Sequence, residues 1–204
     1  MCDLVARTGR HQQRYEHGRR LVAGCIPFRY KDNNDETSDD GHKKLVEVLM
    51  INSQSGSGLL FPKGGWENDE TVEEAAAREA IEEAGVRGDL VHLFPSMCST
   101  IKLYLFAILS VHKQLLGFYD FKSKTHQDKF CPEGMCRAAV FALRVKEELA
   151  AWPEQSTRKR TWLTLSEAVE RSRYPWVREA LTTGFTTWHE NWSNGDDHVD
   201  PNSR

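Results

Sequence analysis

The sequence predicts one α/β domain in which strands outnumber helices, and three observations support this class. Two runs rich in apolar and β-branched residues, at 21–30 and 44–53, predict strands joined by a long polar loop. Residues 71–85 carry the start and stop signals of a helix. Strands at 116–123 and 136–145 precede two helical segments near the C-terminus. Because the chain of 204 residues contains no internal repeat or linker, it should form a single α/β sandwich.

The predicted helix at 71–85 is defined by its two ends. Thr71, followed three residues later by Glu74, forms the capping box that begins a helix, and Gly85 is typical of the residue that ends one. Small apolar residues fall on one arc of this helix, assuming about 100° per residue. They are Ala76, Ala77, Ala80, Ile81 and Ala84. This arc should let the helix pack closely against a sheet.

The chain divides into an arm, a domain and a tail. We expect an N-terminal arm at 1–17, the folded domain at 18–187 and a disordered tail at 188–204. Inside the domain, a short strand at 59–62, a strand that becomes a helix at 161–172, and an amphipathic helix at 176–192 complete the pattern. The longest apolar run is too short to cross a bilayer, so we expect no membrane partner.

Composition and charge exclude several functions. The formal net charge of −3 creates no overall field that would attract nucleic acid, so we expect no general nucleic-acid binding. Five scattered cysteines argue against a disulfide framework and favour free thiols in a reducing compartment. The arginine-rich N-terminus is compatible with a mitochondrial presequence or with a ligand-binding arm. We therefore expect a monomer in the cytoplasm or nucleus, with the mitochondrion as the alternative.

Three glutamates crowd the C-terminal end of the predicted helix. Glu79, Glu82 and Glu83 stand at i, i+3 and i+4, so they project from one face, and each like-charge pair costs about 0.2–0.5 kcal/mol. They also lie at the negative end of the helix dipole, and only Arg78 offsets them, through Glu82 at i+4. A hard divalent cation would reverse this balance, because Mg²⁺ prefers carboxylate oxygens. The cluster therefore indicates a metal site rather than a solvated acidic face.

The run Gly64-x5-Glu70-x7-Arg78-Glu79-x2-Glu82-Glu83-x-Gly85-Val86 resembles the Nudix box of the Nudix hydrolases. This resemblance implies a Nudix fold, an α/β/α sandwich with a mixed β-sheet and the Nudix loop–helix–loop. The one departure is Ala80 at an aliphatic packing position, which leaves every carboxylate in place. The flanking segments RLVAGCIPFRY and RKRTWLTLSEAVE resemble the diphosphoinositol polyphosphate phosphohydrolase branch and its plant relatives, which include hydrolases of long diadenosine polyphosphates.

The resemblance implies roles for the residues of the box. Glu82 would be the general base, Glu79 and Glu83 the principal ligands of Mg²⁺ or Mn²⁺, and Arg78 would hold Glu82 by a salt bridge. As the roles of Glu79 and Glu82 differ among family members, both are candidate catalytic residues together with Arg78. The remaining candidate metal ligands are Glu82 itself and the backbone at Gly64 and Gly65, while Glu70 would support the loop or bind a further metal through water. A divalent cation would neutralise phosphate charge, and a carboxylate would take the proton from water.

Polyphosphate substrates also require cationic side chains. The candidates are Arg14, Arg20, Lys63, Arg158 and Arg160, each of which, taken alone, reads as a solvated surface residue. Matching positions in the resembled branch face the substrate, and this favours the four arginines over the surface reading. Lys63 occupies a position where the branch usually has glycine. Three aromatic residues, Trp66, Phe118 and Trp162, are expected in the core rather than as stacking platforms for a base.

The segment 94–115 has no counterpart in the resembled branch. It is apolar and lacks a polar face, so we treat it as an atypical insertion, either a retained intron or a lineage-specific strand or loop. The sequence predicts a pyrophosphohydrolase acting on diphosphoinositol polyphosphates, long dinucleoside polyphosphates, or both. Two alternatives stay open: a nucleotide-sugar, ADP-ribose or NADH pyrophosphatase, and a non-catalytic module that binds a phosphorylated ligand or RNA.

Overall fold

The computed structural model describes residues 5–7, 12–31, 45–54, 56–91, 115–123 and 131–195. Within these ranges, nine strands form the centre of the molecule. They are β1 (Tyr15–Glu16), β2 (Arg19–Lys31), β3 (Leu45–Asn52), β4 (Leu59–Leu60), β5 (Lys63–Gly65), β6 (Val86–Leu90), β7 (Leu115–Lys122), β8 (Met135–Glu148) and β9 (Arg160–Thr164). The predicted strands at 21–30, 44–53, 116–123 and 136–145 are all confirmed, and the last is longer than predicted.

The helix that carries the glutamates, α1, spans Val72–Ala84, as its end signals predicted. The Thr71 hydroxyl accepts the Glu74 N–H at 3.2 Å, and the Glu74 carboxylate accepts the Thr71 N–H at 2.8 Å. Gly85 ends α1 in the left-handed conformation, with φ of 61°. The further helices are α2 (Leu165–Arg171), α3 (Pro175–Glu179), a π-helical turn (Ala180–Phe185) and α4 (Thr186–Gly195).

The sheet is mixed, and its two long strands lie side by side. β2 and β8 pair in parallel from Arg20↔Cys136 to Phe28↔Arg144, while every other pairing between these strands is antiparallel. Residues Val22 to Phe28 of β2 are all buried, as in a strand covered on both faces. β2 also pairs with β5, and this contact brings the loop before α1 to the centre of the sheet.

Helices cover both faces of the sheet. On one face, α1 contacts β2, β5, β6 and β8, and the Cys25 thiol of β2 donates to the Ala76 carbonyl of α1. On the other face, Phe28 of β2 packs edge-on against Phe185 and Trp188, with ring centroids 5.5 and 5.3 Å away. Cys25 and Phe28 are three residues apart in β2, so their side chains point to opposite faces of the sheet. The helices that contact them therefore form two layers that enclose the sheet. The predicted α/β/α sandwich is confirmed.

The burial of α1 differs from the predicted arc. Ala75, Ala76, Ala80 and Ala84 are buried, whereas Ala77 and Ile81 are only half-buried. The buried face is rotated because the glutamates on the other flank are buried as well, beneath the loop that precedes the helix.

The predicted amphipathic helix at 176–192 is divided into α3, a π-helical turn and α4. The Thr186 N–H bonds to the Leu181 carbonyl, five residues earlier. This wider turn adds one residue and keeps Phe185 and Trp188 on the buried face. The predicted tail, 188–204, therefore begins too early, because α4 continues to Gly195 and Trp188 belongs to the core. Residues 196–204 lie outside the described part of the chain.

The boundary between the arm and the domain also moves. Tyr15–Glu16 pairs with Arg19 and Arg20 across a turn at His17 and Gly18, whose φ angles are 48° and 70°. The predicted division at 17/18 therefore cuts a hairpin, and residues 12–16 are part of the folded domain. Of the atypical insertion 94–115, residues 94–114 lie outside the described residues, as does the polar loop 32–44.

The predictions about the cysteines and about membrane-spanning segments can be compared with the described residues. Cys25, Cys131 and Cys136 are buried thiols, as expected for cysteines that do not form a disulfide framework. No helix among the described ranges is long and apolar enough to cross a membrane.

Candidate active site

The loop that connects β5 to α1 is fixed by Arg14. Its guanidinium donates to the backbone carbonyls of Glu67, Asn68 and Glu70 at 2.9–3.0 Å, and it lies 4.4 Å from the centre of the Trp66 ring. Backbone bonds from Arg14 N–H to the Trp66 carbonyl and from Asn68 N–H to the Gln12 carbonyl join the loop to the N-terminal segment. The loop therefore has one defined conformation beside the start of α1.

Arg78 lies at the centre of the candidate site and uses its whole guanidinium. Its Nε and Nη2 bind both oxygens of Glu70 at 2.9 and 2.8 Å, and Nη2 also reaches the Gly65 carbonyl at 2.9 Å. Nη1 binds Glu79 at 2.7 Å and Glu82 at 3.3 Å. The predicted Arg78–Glu82 contact is present, but the paired bond to Glu70 is the stronger one. Arg78 thus joins the loop to two of the three clustered glutamates.

Glu79 and Glu83 face each other in the interior. Burial, and then repulsion by Glu83, raises the pKa of Glu79 from its ordinary 4.5 to about 8, although Arg78 opposes the shift. Burial also raises the pKa of Glu83, and this effect exceeds the lowering by the charges of Lys63 and Arg158 and by the backbone N–H of Lys63. Glu83 accepts the Lys63 N–H at 2.8 Å and is ion-paired with Arg158. Two carboxylates held together in this way are poorly neutralised by their neighbours.

Gly64 is required by how closely Glu79 approaches it. A Cβ atom at position 64 would overlap all three atoms of the Glu79 carboxyl group. The glycine therefore lets the carboxylate of α1 lie directly on the backbone of β5. The Gly65 carbonyl, which we predicted as a metal ligand, already accepts Arg78.

Glu82 is held from two directions. Arg78 binds one oxygen, and the backbone N–H of Arg7 lies 3.4 Å from each oxygen. Burial raises the pKa of Glu82, and the charge of Glu154 acts in the same direction, against the opposing effects of Arg78 and Arg7. A buried carboxylate with a raised pKa can accept a proton more readily than an ordinary one, so this side chain is suited to act as a base.

Glu70 behaves differently from the clustered glutamates. Burial favours its neutral form, but the hydrogen bonds from Arg78 and from the Glu67 N–H outweigh burial and lower the pKa of Glu70. Its charge is therefore balanced inside the protein. Its present contacts fix the loop, which was one of its two predicted roles.

The two arginines before and within β9, which we predicted as substrate cations, contact residues at the end of α1. Arg158, whose side chain is 8% exposed, binds Glu83, Glu154 at 3.1 Å and the Asn52 carbonyl at 2.9 Å. Arg160 donates to the carbonyls of Ala84 and Gly85 at 3.1 and 2.9 Å and stacks on Trp152. A cation at this end satisfies carbonyls that the helix leaves unpaired and faces the negative end of its dipole. That the two arginines also face a substrate stays a prediction.

The other predicted substrate cations also have partners in the protein. Arg14 holds the loop, as described above, and Arg20 donates to the Gln13 side chain at 2.7 Å. The ammonium of Lys63 lies 6.0 Å from the centre of the Phe121 ring. The four arginines thus make contacts around the loop and α1 that help to hold the site together.

A cavity of about 780 Å³ lies next to the same loop. Its lining includes Arg14, Trp66 and Asn68 together with Phe118 and Arg137. The prediction that Phe118 belongs to the core is wrong, because it is 64% exposed. Trp66 and Trp162 are half-buried against the core, and each lies under an arginine, Trp162 with Arg29 at 4.1 Å.

Sequence reasoning did not identify Arg7, Glu67 or Glu154 as neighbours of the site. Arg7 Nη1 binds Glu67 at 2.8 Å and Asp69 at 3.0 Å, and the Glu154 N–H donates to the Glu82 carbonyl. These contacts join residues that are 60 or more positions apart in the sequence, so no local sequence pattern predicts them. The exposure of Phe118, by contrast, has a local signal. It lies two residues from the exposed Asp120 in β7, and residues at that spacing share one face of a strand.

The donor chemistry of the clustered carboxylates suits a divalent cation. Mg²⁺ prefers carboxylate oxygens, and the mutual repulsion of Glu79 and Glu83 would be relieved by bound positive charge. Within the described ranges, no three Asp, Glu, His or Cys side chains are already gathered as a metal site. Arg78 and Arg158 occupy oxygens of these glutamates, and a cation could share or replace those contacts.

Comparisons with known proteins agree with the fold and identify the family. A family model for the NUDIX domain matches residues 37–183. The chain is 60% identical to Nudix hydrolase 16, mitochondrial, of Arabidopsis thaliana over 93% of each chain, and 45% identical to Nudix hydrolase 13, mitochondrial, over 98% of this chain and 90% of the relative. A mutT/nudix family protein from Listeria innocua shares the fold, with a TM-score of 0.53 and 18% identity over 89% of this chain and 99% of that chain. The chain therefore belongs to the NUDIX domain family and is a Nudix hydrolase that acts on phosphorus-containing acid anhydrides.

Proposed function

We propose that this Nudix hydrolase is a pyrophosphohydrolase that depends on Mg²⁺ or Mn²⁺ and cleaves a diphosphate linked to another group. The observation that carries this proposal is the cluster of Glu79, Glu82 and Glu83, all buried and all with raised pKa values. Such a cluster destabilises the protein unless positive charge is supplied. Glu79 and Glu83, with the backbone of Gly64 nearby, would hold a divalent cation, which would supply that charge and act as a Lewis acid towards the phosphates.

Each remaining residue of the site has a role in this proposal. Glu82 accepts the proton of the attacking water, and Arg78 and the Arg7 N–H orient its carboxylate. Glu70 holds Arg78 in position through the paired bond. Arg158 and Arg160 fix the C-terminal end of α1, so that Glu82 and Glu83 keep their positions.

Diphosphoinositol polyphosphates and long dinucleoside polyphosphates, such as diadenosine penta- and hexaphosphate, are the proposed substrates. The resemblance of the segments that flank the Nudix box supports both classes, and the cavity beside the loop has the volume of a small-molecule site, which is on the order of 300–1,000 Å³. Nucleotide sugars, ADP-ribose and NADH form the second group of candidates. A non-catalytic binding module is disfavoured, because the relatives are named as hydrolases and all the carboxylates of the box are present.

We also propose that the protein acts as a monomer in the mitochondrion. The names of the relatives in Arabidopsis thaliana support this compartment over the cytoplasm or nucleus that we expected. Because Arg7 contacts Glu82 and residues 12–16 contact the loop before α1, any removal of a presequence would have to occur before Arg7 to leave the site intact. We accordingly place the start of the catalytic domain at residue 12 rather than 18.

A substrate panel tests this function. Purified protein is incubated with diphosphoinositol polyphosphates, dinucleoside polyphosphates of several lengths, ADP-ribose and NADH, in the presence of Mg²⁺ or Mn²⁺. We expect hydrolysis of at least one of the first two classes, and we expect Glu82→Gln to lower kcat by about 10²–10⁴-fold while substrate still binds. Substantial turnover by the Glu82→Gln variant would exclude Glu82 as the essential base, and inactivity towards the first two classes would refute the proposed specificity.

A further inference from the structure

Residues 5–7 reach the candidate site from far away in the sequence. The backbone N–H of Arg7 lies 3.4 Å from both oxygens of Glu82, across 75 positions. Arg78 bonds Oε2 of Glu82 at 3.3 Å, so within the described ranges the Arg7 N–H is the one hydrogen-bond donor to Oε1. All these bonds are long for N–H···O bonds. The orientation of the Glu82 carboxylate therefore depends on how firmly Arg7 itself is held.

The side chain of Arg7 is held by the loop before α1. Its Nη1 atom binds Glu67 at 2.8 Å and Asp69 at 3.0 and 3.2 Å, and it lies 3.9 Å from Glu70. One nitrogen atom thus meets three carboxylates at once. Because the guanidinium and the backbone N–H belong to the same residue, these ion pairs determine where the N–H lies relative to Glu82.

The pair between Arg7 and Glu67 differs from an ordinary ion pair on a surface. The Glu67 side chain is only 12% exposed, and among the described residues Arg7 is its one ion-pair partner. A nearly buried carboxylate without a counter-charge is costly, whereas a fully exposed pair contributes little. The backbone of Glu67 is also fixed, because its carbonyl accepts Arg14 at 2.9 Å and the residue forms a β-bridge with Gln13. Arg7 is therefore anchored to a rigid part of the loop.

We propose that Arg7 is a positioning residue for the reaction: Glu67 and Asp69 anchor its guanidinium, and the anchored residue holds the Glu82 carboxylate in the orientation that accepts a proton. This inference rests on the proposed function, in which Glu82 is the base, and extends it to the Arg7 side chain and its two anchors. A general base contributes about 10²–10⁴-fold to a rate. Loss of the anchor leaves the base present but poorly oriented, so only part of this factor should be lost.

Steady-state kinetics of Arg7→Ala and Arg7→Lys, with diadenosine pentaphosphate and with diphosphoinositol polyphosphates at saturating Mg²⁺, test the inference. We expect Arg7→Ala to lower kcat about 10-fold and to leave KM within about 2-fold, because Arg7 acts on the base and not on the substrate. Arg7→Lys should recover most of kcat, since one ammonium can replace the single nitrogen that meets the carboxylates. Arg87→Ala is the matched control and should keep the wild-type kcat: the Arg87 side chain is 47% exposed, against 41% for Arg7, and pairs with Glu147 at 3.3 Å.

Hydrogen exchange of the backbone amide of residue 7, followed by NMR in EDTA, tests the anchor without turnover. After correction for the intrinsic exchange rates, this amide should exchange at least about 10-fold more slowly in the wild type, Arg7→Lys and Arg87→Ala than in Arg7→Ala. The reason is that Arg7→Ala lacks the side chain that keeps the N–H against Glu82.

Three results would overturn the inference. They are an unchanged kcat in Arg7→Ala, equal losses of kcat in Arg7→Ala and Arg7→Lys, and equal exchange of the residue 7 amide in the wild type and Arg7→Ala. A raised KM at unchanged kcat falls under the first of these, because it would place Arg7 on the substrate. If the wild-type protein hydrolyses no member of the substrate panel, the proposed function fails, while the exchange measurement still decides whether Arg7 is anchored against Glu82.

Discussion

Replacing Glu79 with Gln is expected to stabilise the metal-free protein while it abolishes hydrolysis. The Glu79 carboxyl has a pKa of about 8 in the folded protein and 4.5 ordinarily. A carboxyl whose pKa is raised on folding does not lower the free energy of unfolding below pH 4.5, where it is protonated in both states. As the pH rises towards 8, the loss of unfolding free energy grows, and above that pH it levels off. At pH 8 the difference between the two pKa values corresponds to about 4 kcal/mol, which is an upper limit because the site can relax.

The glutamine variant keeps an oxygen that can accept the Arg78 bond but loses the charge. Urea unfolding in EDTA should therefore show that the wild-type protein loses stability between about pH 5 and pH 8, while Glu79→Gln loses much less. Addition of Mg²⁺ at pH 8 should raise the stability of the wild type and leave the variant nearly unchanged. Glu73→Gln, on the same helix but outside the cluster, is the control and should behave like the wild type. If the unfolding free energies of the wild type and Glu79→Gln depended equally on pH, the buried charge could not be that of Glu79.

Three further predictions concern the support of the site. Gly64→Ala should displace the Glu79 carboxylate and lower kcat at least about 10-fold, whereas Gly18→Asn, at a position where no atom lies within 4 Å of a new Cβ, should leave kcat unchanged. Arg160→Met removes three bonds to backbone carbonyls and should destabilise the protein by about 2 kcal/mol, seen as a lower midpoint in thermal unfolding; an unchanged midpoint would show that Arg160 does not cap α1. Removal of residues 1–17 should lower the thermal midpoint and abolish activity, whereas removal of 1–11 should preserve the fold; equal stability of the two truncated proteins would refute the contribution of residues 12–16.

Local patterns predicted α1 and its carboxylates because each signal lies within a few residues. The capping box and Gly85 determine where the helix begins and ends, and the i, i+3, i+4 spacing places Glu79, Glu82 and Glu83 on one face whatever surrounds them. The apolar and β-branched content of 21–30 and 44–53 predicted β2 and β3 in the same way. These parts of the structure depend little on distant contacts.

The contacts that the arginine side chains make could not be predicted from the spacing of residues in the sequence. Arg158 and Arg160 reach the end of α1 because β9 pairs with β3 and brings them across 75 positions of sequence. Arg7 reaches Glu82 over the same separation. The resemblance assigned Arg158 and Arg160 to a substrate, and the structure shows in addition that they satisfy carboxylates and carbonyls of the protein. The exposure of Phe118 could have been inferred, since it shares a strand face with Asp120.

The most direct test of the central claim is turnover with and without a divalent cation. The wild-type protein is treated with EDTA, assayed on diadenosine pentaphosphate and diphosphoinositol polyphosphates, and assayed again after addition of Mg²⁺ or Mn²⁺. If Glu79 and Glu83 hold a catalytic cation, hydrolysis should stop in EDTA and return with the metal, and Glu83→Gln should require much more metal for the same rate. Undiminished hydrolysis in EDTA would contradict the account.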